Sequence, residues 1–286
     1  MNNTTTGTLY LAATPIGNLE DITLRVLRVL REVDLIACED TRTSSHLLSH
    51  FDITTPVTSY HKFNEEEKSD ELIGKLLRGT NIALITDAGT PAISDPGEIL
   101  VRKCLDAGIT VTSLPGPSAV ITALTLSGRD TRRFVFEGFL PQENKEKQAA
   151  LSRIENETRT IILYEAPHRL KKTLSTLAET LGGGRELTLI RELTKKFETV
   201  ERTTLAAASG EDAPEPRGEY VLVIAGKSED EILAEMASQW ENMTLSQHVA
   251  LYEKEGMDRK AAMKAAAKDR GISRRDVYQA LLREEE

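Results

Sequence analysis

Cysteine is almost absent from the 286-residue chain: Cys38 and Cys104 are its only two, each within an apolar segment and neither at metal-ligand or redox-motif spacing from a partner. That scarcity excludes a disulfide framework, a cysteine-held metal centre and a dithiol redox site, and both thiols are expected to be reduced core residues. No apolar run approaches the roughly 20 residues that a membrane-spanning helix requires, and residues 1–7, rich in Asn and Thr, lack the basic and apolar regions of a secretory leader. The reading is a cytoplasmic protein with no membrane partner. No G-x-G-x-x-G follows the first strand, which disfavours NAD or FAD. Gly226-Lys227-Ser228 resembles the end of a phosphate loop, but Val221 stands where the first glycine of that motif belongs. Positive charge is also short, with a net charge of -9, so any contact with nucleic acid has to come from a local basic region.

What the chain does have is the composition of an ordinary globular protein, with 40% hydrophobic and 28% charged residues. Aliphatic and β-branched runs at 8–13, 35–38, 57–60, 82–86 and 110–114 read as strands, with helical patterns between most of them. Near-continuous apolar strands alternating with helices indicate a largely parallel sheet covered on both faces, which places ligands at the carboxyl ends of its strands. A second, strand-dense set at 134–139, 160–164, 186–190, 198–204 and 219–224, with helices near 145–155 and 169–181, suggests a mixed sheet. The segment 211–217 has the composition of a surface loop. Beyond Gly226 only helical patterns remain, at 229–240, 246–255, 259–270 and 273–283. The fold class is therefore α/β, with two α/β lobes at 1–117 and 118–227 and a small helical domain at 228–286.

Three loops carry the chemistry. The stretch 86–97, Thr-Asp-Ala-Gly-Thr-Pro-Ala-Ile-Ser-Asp-Pro-Gly, holds two Asp, two Gly and two Pro directly after an apolar strand. Glycine lets backbone approach a ligand closely, proline stiffens the loop, and Ser94 or Asp95 can cap the helix expected from Gly97. Leu114-Pro115-Gly116-Pro117-Ser118-Ala119-Val120 likewise ends a strand and opens a helix, with Ser118 as its expected cap. Thr14-Pro15-Ile16-Gly17-Asn18 follows the first strand. Three rigid loops at one sheet edge define a ligand crevice, and its ligand is expected to be small and free of phosphate.

These motifs resemble those of the tetrapyrrole-methylase-type (class III) S-adenosylmethionine methyltransferases, and among them the branch that modifies ribosomal RNA. The likeness extends through Glu39-Asp40-Thr41-Arg42, Ser59-Tyr60-His61-Lys62, Phe136-Glu137-Gly138-Phe139, Tyr164-Glu165-Ala166-Pro167-His168-Arg169 and Arg191-Glu192-Leu193-Thr194-Lys195, so it covers essentially the whole chain. It implies an S-adenosylmethionine cofactor in a cleft between the two lobes. The matching positions are Pro15 and Ile16 in the first loop, Asp87, Gly89, Thr90, Ile93 and Ser94 in the second, and Ser118 and Ala119 in the third. The second lobe supplies Tyr164, Glu165, Ala166 and Ala225. It further implies 2'-O-methylation of a decoding-centre cytidine in 16S rRNA, within the 30S subunit, by a homodimer.

Transfer to a ribose hydroxyl needs alignment with the sulfonium methyl and some group to take the proton. Glu39, Asp40, His61, Glu165 and Lys195, all in motifs near strand ends, are the candidates. Arg42, Lys62, His168, Arg169 and Lys196 suit phosphate or base contacts around the target nucleotide. His46, His50 and His248 sit on helical patterns without ligand partners, and no metal is expected. From Met257 to Arg283 eight basic residues face three acidic ones. There Lys260, Lys264 and Lys268 form a stripe opposite Met263 and Ala267, while Gly271 ends one helix and the Ser273-Arg274-Arg275-Asp276 capping box opens the next, so the pair reads as a helix-turn-helix. This tail is expected to grip RNA. Two other readings remain open: a small-molecule methylase acting on a tetrapyrrole, disfavoured because the glycine-rich first loop of those enzymes is here Thr14 to Asn18, and a non-enzymatic RNA-binding assembly factor, which would need no crevice.

Overall fold

Aliphatic and β-branched runs form the five strands of a first sheet: β1 (Thr8–Ala12), β2 (Leu35–Cys38), β3 (Val57–Ser59), β4 (Ile82–Ile85) and β5 (Thr110–Leu114). The computed structural model describes residues 6–210, 215, 217–238, 240 and 243–284, so most of the loop expected at 211–217 lies outside the described residues. Every pairing in the order β3-β2-β4-β1-β5 is parallel. Helices α1 (Leu24–Glu32), α2 (Thr41–His50), α3 (Glu65–Leu77) and α4 (Glu98–Asp106) make the crossovers. β4 is buried on both faces: Ala83 and Ile85 meet the α1 side chains Val26, Val29 and Leu30, while Ile82 and Leu84 meet Leu72 and Leu76 of α3 and Leu100 of α4. This period-2 alternation inside an all-apolar run is what a sheet covered on both faces demands. Because β1 connects outward past β4 and β4 connects back past β1, the switch point lies between them, and their carboxyl ends open a crevice.

The chain leaves this sheet through α5 (Ala119–Ser127), which Gly128 ends in the left-handed conformation at φ 69°. A second sheet follows, made of β6 (Phe134–Phe139), β7 (Thr160–Glu165), β8 (Glu186–Arg191), β9 (Thr199–Thr204) and β10 (Tyr220–Ile224) in the order β6-β7-β10-β8-β9. Only β6 and β7 are parallel, so the sheet is mixed as expected. Helices α6 (Asn144–Ile154), α7 (Leu170–Leu181) and α8 (Leu205–Ser209) cover one face. α5 covers the other through Val120, Ala123 and Leu124, and Ile16 from the loop after β1 packs into the same cluster. Both sheets belong to one compact unit, 1–155 with 159–225. Both cysteines are buried and free.

Residues 156–158 and 226–286 form a second unit, built from α9 (Glu229–Ser238), α10 (Leu245–Lys254), α11 (Arg259–Asp269) and α12 (Arg274–Glu284). Its core is Val249, Ala262, Met263, Ala266, Ala267, Val277 and Leu281. The turn between α11 and α12 has Gly271 at φ 62°, and Ser273 and Asp276 then exchange capping hydrogen bonds, which gives the helix-turn-helix read from the sequence. Among the described residues no helix is long and apolar enough to cross a membrane.

Candidate active site

The loops after β1, β4 and β5 leave the same sheet edge and are bonded to one another. Thr14 N–H donates to Gly89 O at 2.9 Å and Gly89 N–H donates back to Thr14 O at 3.0 Å. The buried Thr14 hydroxyl donates to Thr86 O at 3.0 Å, and the Thr90 hydroxyl donates to Pro117 O at 3.1 Å. Gly116 lies so close to β1 that a Cβ there would sit 2.8 Å from that of Ala13. Within the second loop Ala92 and Ser94 hold φ values of 67° and 64°, a strain of about 1–3 kcal/mol each that persists where the surroundings over-determine the backbone. The crevice is thus pre-formed by the chain itself.

Where these loops face the second lobe they enclose a cavity of about 350 Å³, a volume typical of small-ligand sites. Ile16, Ile93, Phe139 and Tyr164 supply its apolar walls, and Ile93 and Phe139 remain 44% and 48% exposed there. A bulge between Phe136 and Gly138, with Gly138 at φ 65°, shifts the register of β6 just before Phe139. The Tyr164 ring meets Phe136 and Phe139 edge-on at 4.9 and 5.6 Å, and burial pushes its hydroxyl up to about 12. A second cavity of about 520 Å³ adjoins the first and shares Ile16, Ala88 and Glu219 with it.

Of the residues expected to hold a cofactor, all but Pro15, Asp87 and Ala225 line the first cavity, and Pro15 and Asp87 line the second. Ala225 requires a correction. β10 runs antiparallel to β7, pairing Tyr220 with Glu165 and Ile224 with Ile161, so Ala225 follows the far end of the strand while Tyr220 and Val221 line the cavity. The expected cap of α4 fails, and that of α5 holds in position only, with Ser118 as the N-cap residue of α5. The cap position of α4 is Gly97, whose N–H donates to Glu65 Oε1 of α3 at 2.9 Å, and Ser118 makes no side-chain cap to α5. Ser94 and Asp95 instead border the cavity.

The residues put forward for the proton scatter. Glu165 is buried and committed: Oε1 accepts from Ala166 N–H at 2.8 Å and faces Arg169 Nε at 3.3 Å, while Oε2 accepts from the Thr173 hydroxyl at 2.5 Å. Asp40 caps α2 by accepting from Arg42 N–H at 2.8 Å, and the Arg42 guanidinium at 2.9 Å holds its carboxyl below the usual range. Lys195 bridges Glu192 at 3.0 Å and Glu219 at 2.9 Å. Partial burial pulls its ammonium down, but those carboxylates outweigh it and leave a firm cation. Burial and then Asp87 push the Glu39 carboxyl up, and His61 keeps a buried Nδ1 with no hydrogen-bond partner. Neither Glu39, Asp40 nor His61 lines the two cavities.

Among the cations, Arg42, Lys62, His168 and Lys196 are exposed, as are Lys260, Lys264, Lys268, Arg274 and Arg275 in the helical unit. Arg169 is a correction: it turns inward to Glu165 and to the Leu140 carbonyl, so its donors serve the fold. Asp95, Phe139 and Tyr220 are cavity residues that sequence reasoning missed. For Asp95 the only signal was a second carboxylate in a loop already rich in turn residues, which capping statistics absorb.

Asp95 is half-buried; that burial, then the charges of Glu39 and Asp87, push its carboxyl from 3.8 up to about 7. A carboxyl raised on folding favours the folded state when protonated, so this stability is present at low pH and is lost as pH rises through about 7. Asp95→Asn is expected to leave the thermal midpoint nearly unchanged near pH 4 and to raise it near pH 8. Equal effects at both pH values would contradict this electrostatic picture.

Comparison with known proteins places these features. The family model for Tetrapyrrole (Corrin/Porphyrin) Methylases matches residues 8–209. The chain is 46% identical over 275 residues to ribosomal RNA small subunit methyltransferase I of Bacillus subtilis, covering 96% of this chain and 94% of that one. It is 47% identical over 274 residues to the protein of the same name from Synechocystis sp., covering 96% of each chain. Among solved structures, uroporphyrin-III C-methyltransferase from Thermus thermophilus complexed with S-adenyl homocysteine superposes with a TM-score of 0.56 at 16% identity, covering 77% of this chain and 97% of that one. At that identity the likeness is one of fold.

Proposed function

The chain belongs to the tetrapyrrole methylase family and groups within it with the ribosomal RNA small subunit methyltransferase I proteins, and on that premise we propose that it transfers a methyl group from S-adenosylmethionine to the 2'-oxygen of a decoding-centre cytidine in 16S rRNA. The observation that carries the donor assignment is the first cavity. Its apolar walls, Ile16, Ile93, Phe139 and Tyr164, suit the adenosine body, and the acidic cluster of Asp95 with Glu39 and Asp87, whose mutual repulsion helps raise the Asp95 carboxyl to about 7, gains negative charge when a cation lies beside it. A negative site complements a cationic sulfonium and repels the pyrophosphate of a dinucleotide. S-adenosylmethionine supplies a methyl carbon made electrophilic by that sulfonium.

What the protein contributes is placement. The bonded loops hold the walls in register, Ile16 and Phe139 exclude water, and an acceptor oxygen is brought in line from the adjoining cavity. With Asp40 and Glu165 committed to capping and packing, the account rests on alignment. Replacing Glu39, Asp40 or Glu165 singly by its amide is expected to lower turnover only modestly, against the roughly hundredfold to ten-thousandfold loss typical of a general base. Mapping ribose methylation by mass spectrometry in 16S rRNA from cells with and without the protein tests the proposal. A decoding-centre cytidine that keeps its 2'-O-methyl group in cells lacking the protein would overturn it.

A further inference from the structure

Two histidines that the sequence left without a role, His46 and His50, lie one helical turn apart on α2 and both line the second cavity, with Thr43, Ser44 and Leu47 between and beside them. The cavity has polarity from end to end. The amino end of α2 is fastened to the loop after β4, because Asp40 N–H donates to Asp87 Oδ1 at 3.2 Å. Asp87 and Glu219 therefore lie at the end shared with the first cavity. At about 1.5 Å per residue, His46 and His50 stand roughly 8 and 14 Å farther along the helix axis. At the inner end Asp87 and Glu219 accept hydrogen bonds from hydroxyl and amino groups, the Lys195 ammonium that lines the same cavity being held by Glu219 at 2.9 Å and Glu192 at 3.0 Å; imidazole N–H groups at the outer end donate to anionic oxygens. Pro15, Leu19 and Leu47 give apolar surface between them, and Leu19 is 41% exposed. The buried Ser44 hydroxyl beside the Cys38 thiol has no nitrogen or oxygen partner.

We propose that this second cavity receives one extruded ribonucleotide of an RNA strand, with its sugar and base toward Asp87 and Glu219 and its phosphate held by His46 and His50. The proposal rests on the methyltransferase reading above. It follows from the order of chemical groups along one wall: a nucleotide carries hydroxyl and amino donors at one end and an anion at the other, and unpaired nucleotides are the part of RNA that can be drawn out of a strand into a cleft. Walls shared at Ile16 and Ala88 put the sugar next to the first cavity, where the methyl donor lies in the proposed reading. No residue assigned to the donor is part of the α2 wall.

The test uses the full chain with isolated small ribosomal subunits. His46→Ala combined with His50→Ala, which leaves no side-chain donor at either position, is expected to raise KM for the subunit about tenfold, with kcat within about twofold, because hydrogen bonds to an anion are lost while alignment at the inner end remains. Affinity for S-adenosylmethionine by calorimetry should be unchanged, and since both side chains are exposed the thermal midpoint should not move. Thr43→Trp, also at an exposed position, is expected to fill the cavity and abolish turnover while donor binding persists. An unchanged KM in the double histidine variant, or full turnover in the Thr43→Trp variant, would overturn the assignment. If the parent protein itself transferred no methyl group to the subunit, the methyltransferase reading would fall instead, and the parent's own assay separates that case.

Discussion

Gly89→Val is expected to weaken S-adenosylmethionine binding by about tenfold to a hundredfold. Gly89 holds φ at 83°, and a Cβ there would sit 3.3 Å from Ile16 Cγ2, tighter than most real contacts. A β-branched residue in this conformation costs about 1–3 kcal/mol, which corresponds to roughly fivefold to 150-fold in an equilibrium. Relief comes only by rotating the backbone, which breaks the paired bonds to Thr14 and moves Ile16. Both loops would then leave the positions that shape the cavity. Calorimetry checks this, with circular dichroism to show that the fold persists. An affinity equal to the parent's would show that the donor does not lie between these loops.

Removing residues 229–286 is expected to leave donor affinity intact and to reduce affinity for the small subunit at least about tenfold, because the exposed cations proposed to contact RNA, Lys260, Lys264, Lys268, Arg274 and Arg275, leave with the segment. Every residue lining the first cavity lies at or before Val221. Lys260, Lys264 and Lys268 stand on the outer face of α11, and Arg274 and Arg275 open α12. Arg270 is spent inside the unit, where Nε donates to His248 Nδ1 at 3.1 Å. If each of those five cations neutralises one phosphate, the slope of log affinity against log salt should shrink by about three to four. Binding measured across a salt series reads both effects. An unchanged slope would assign RNA contact to the catalytic lobes alone.

Much of the fold was legible because its physics is local. β2 and β5 match their aliphatic runs residue for residue, and β1 and β4 end within one residue of theirs, since short apolar runs bounded by turn residues have little freedom to be anything else. The three loops stood out for the same reason, because Gly and Pro at strand ends announce special backbone. What was not legible depends on distant partners. Ala225 was carried to the cavity by motif order, whereas the antiparallel course of β10 sends it to the opposite end of the strand. Asp95 looked like a cap because Asp before a helix usually is one, and only the structure shows Glu65 of α3 taking that task. The α2 histidines carried no signal at all, because a helix face reads as a ligand wall only once the loop it faces is known.

The central claim, methyl transfer to a ribose hydroxyl of small-subunit RNA, is tested most directly by incubating the full chain with small subunits and S-adenosylmethionine labelled in its methyl group, then hydrolysing the RNA in alkali. Alkaline cleavage uses the 2'-hydroxyl as internal nucleophile, so a 2'-O-methyl group protects the linkage that follows it. The account predicts that the label is released on an alkali-stable dinucleotide. Label on a mononucleotide would place the methyl group on the base and contradict the ribose assignment.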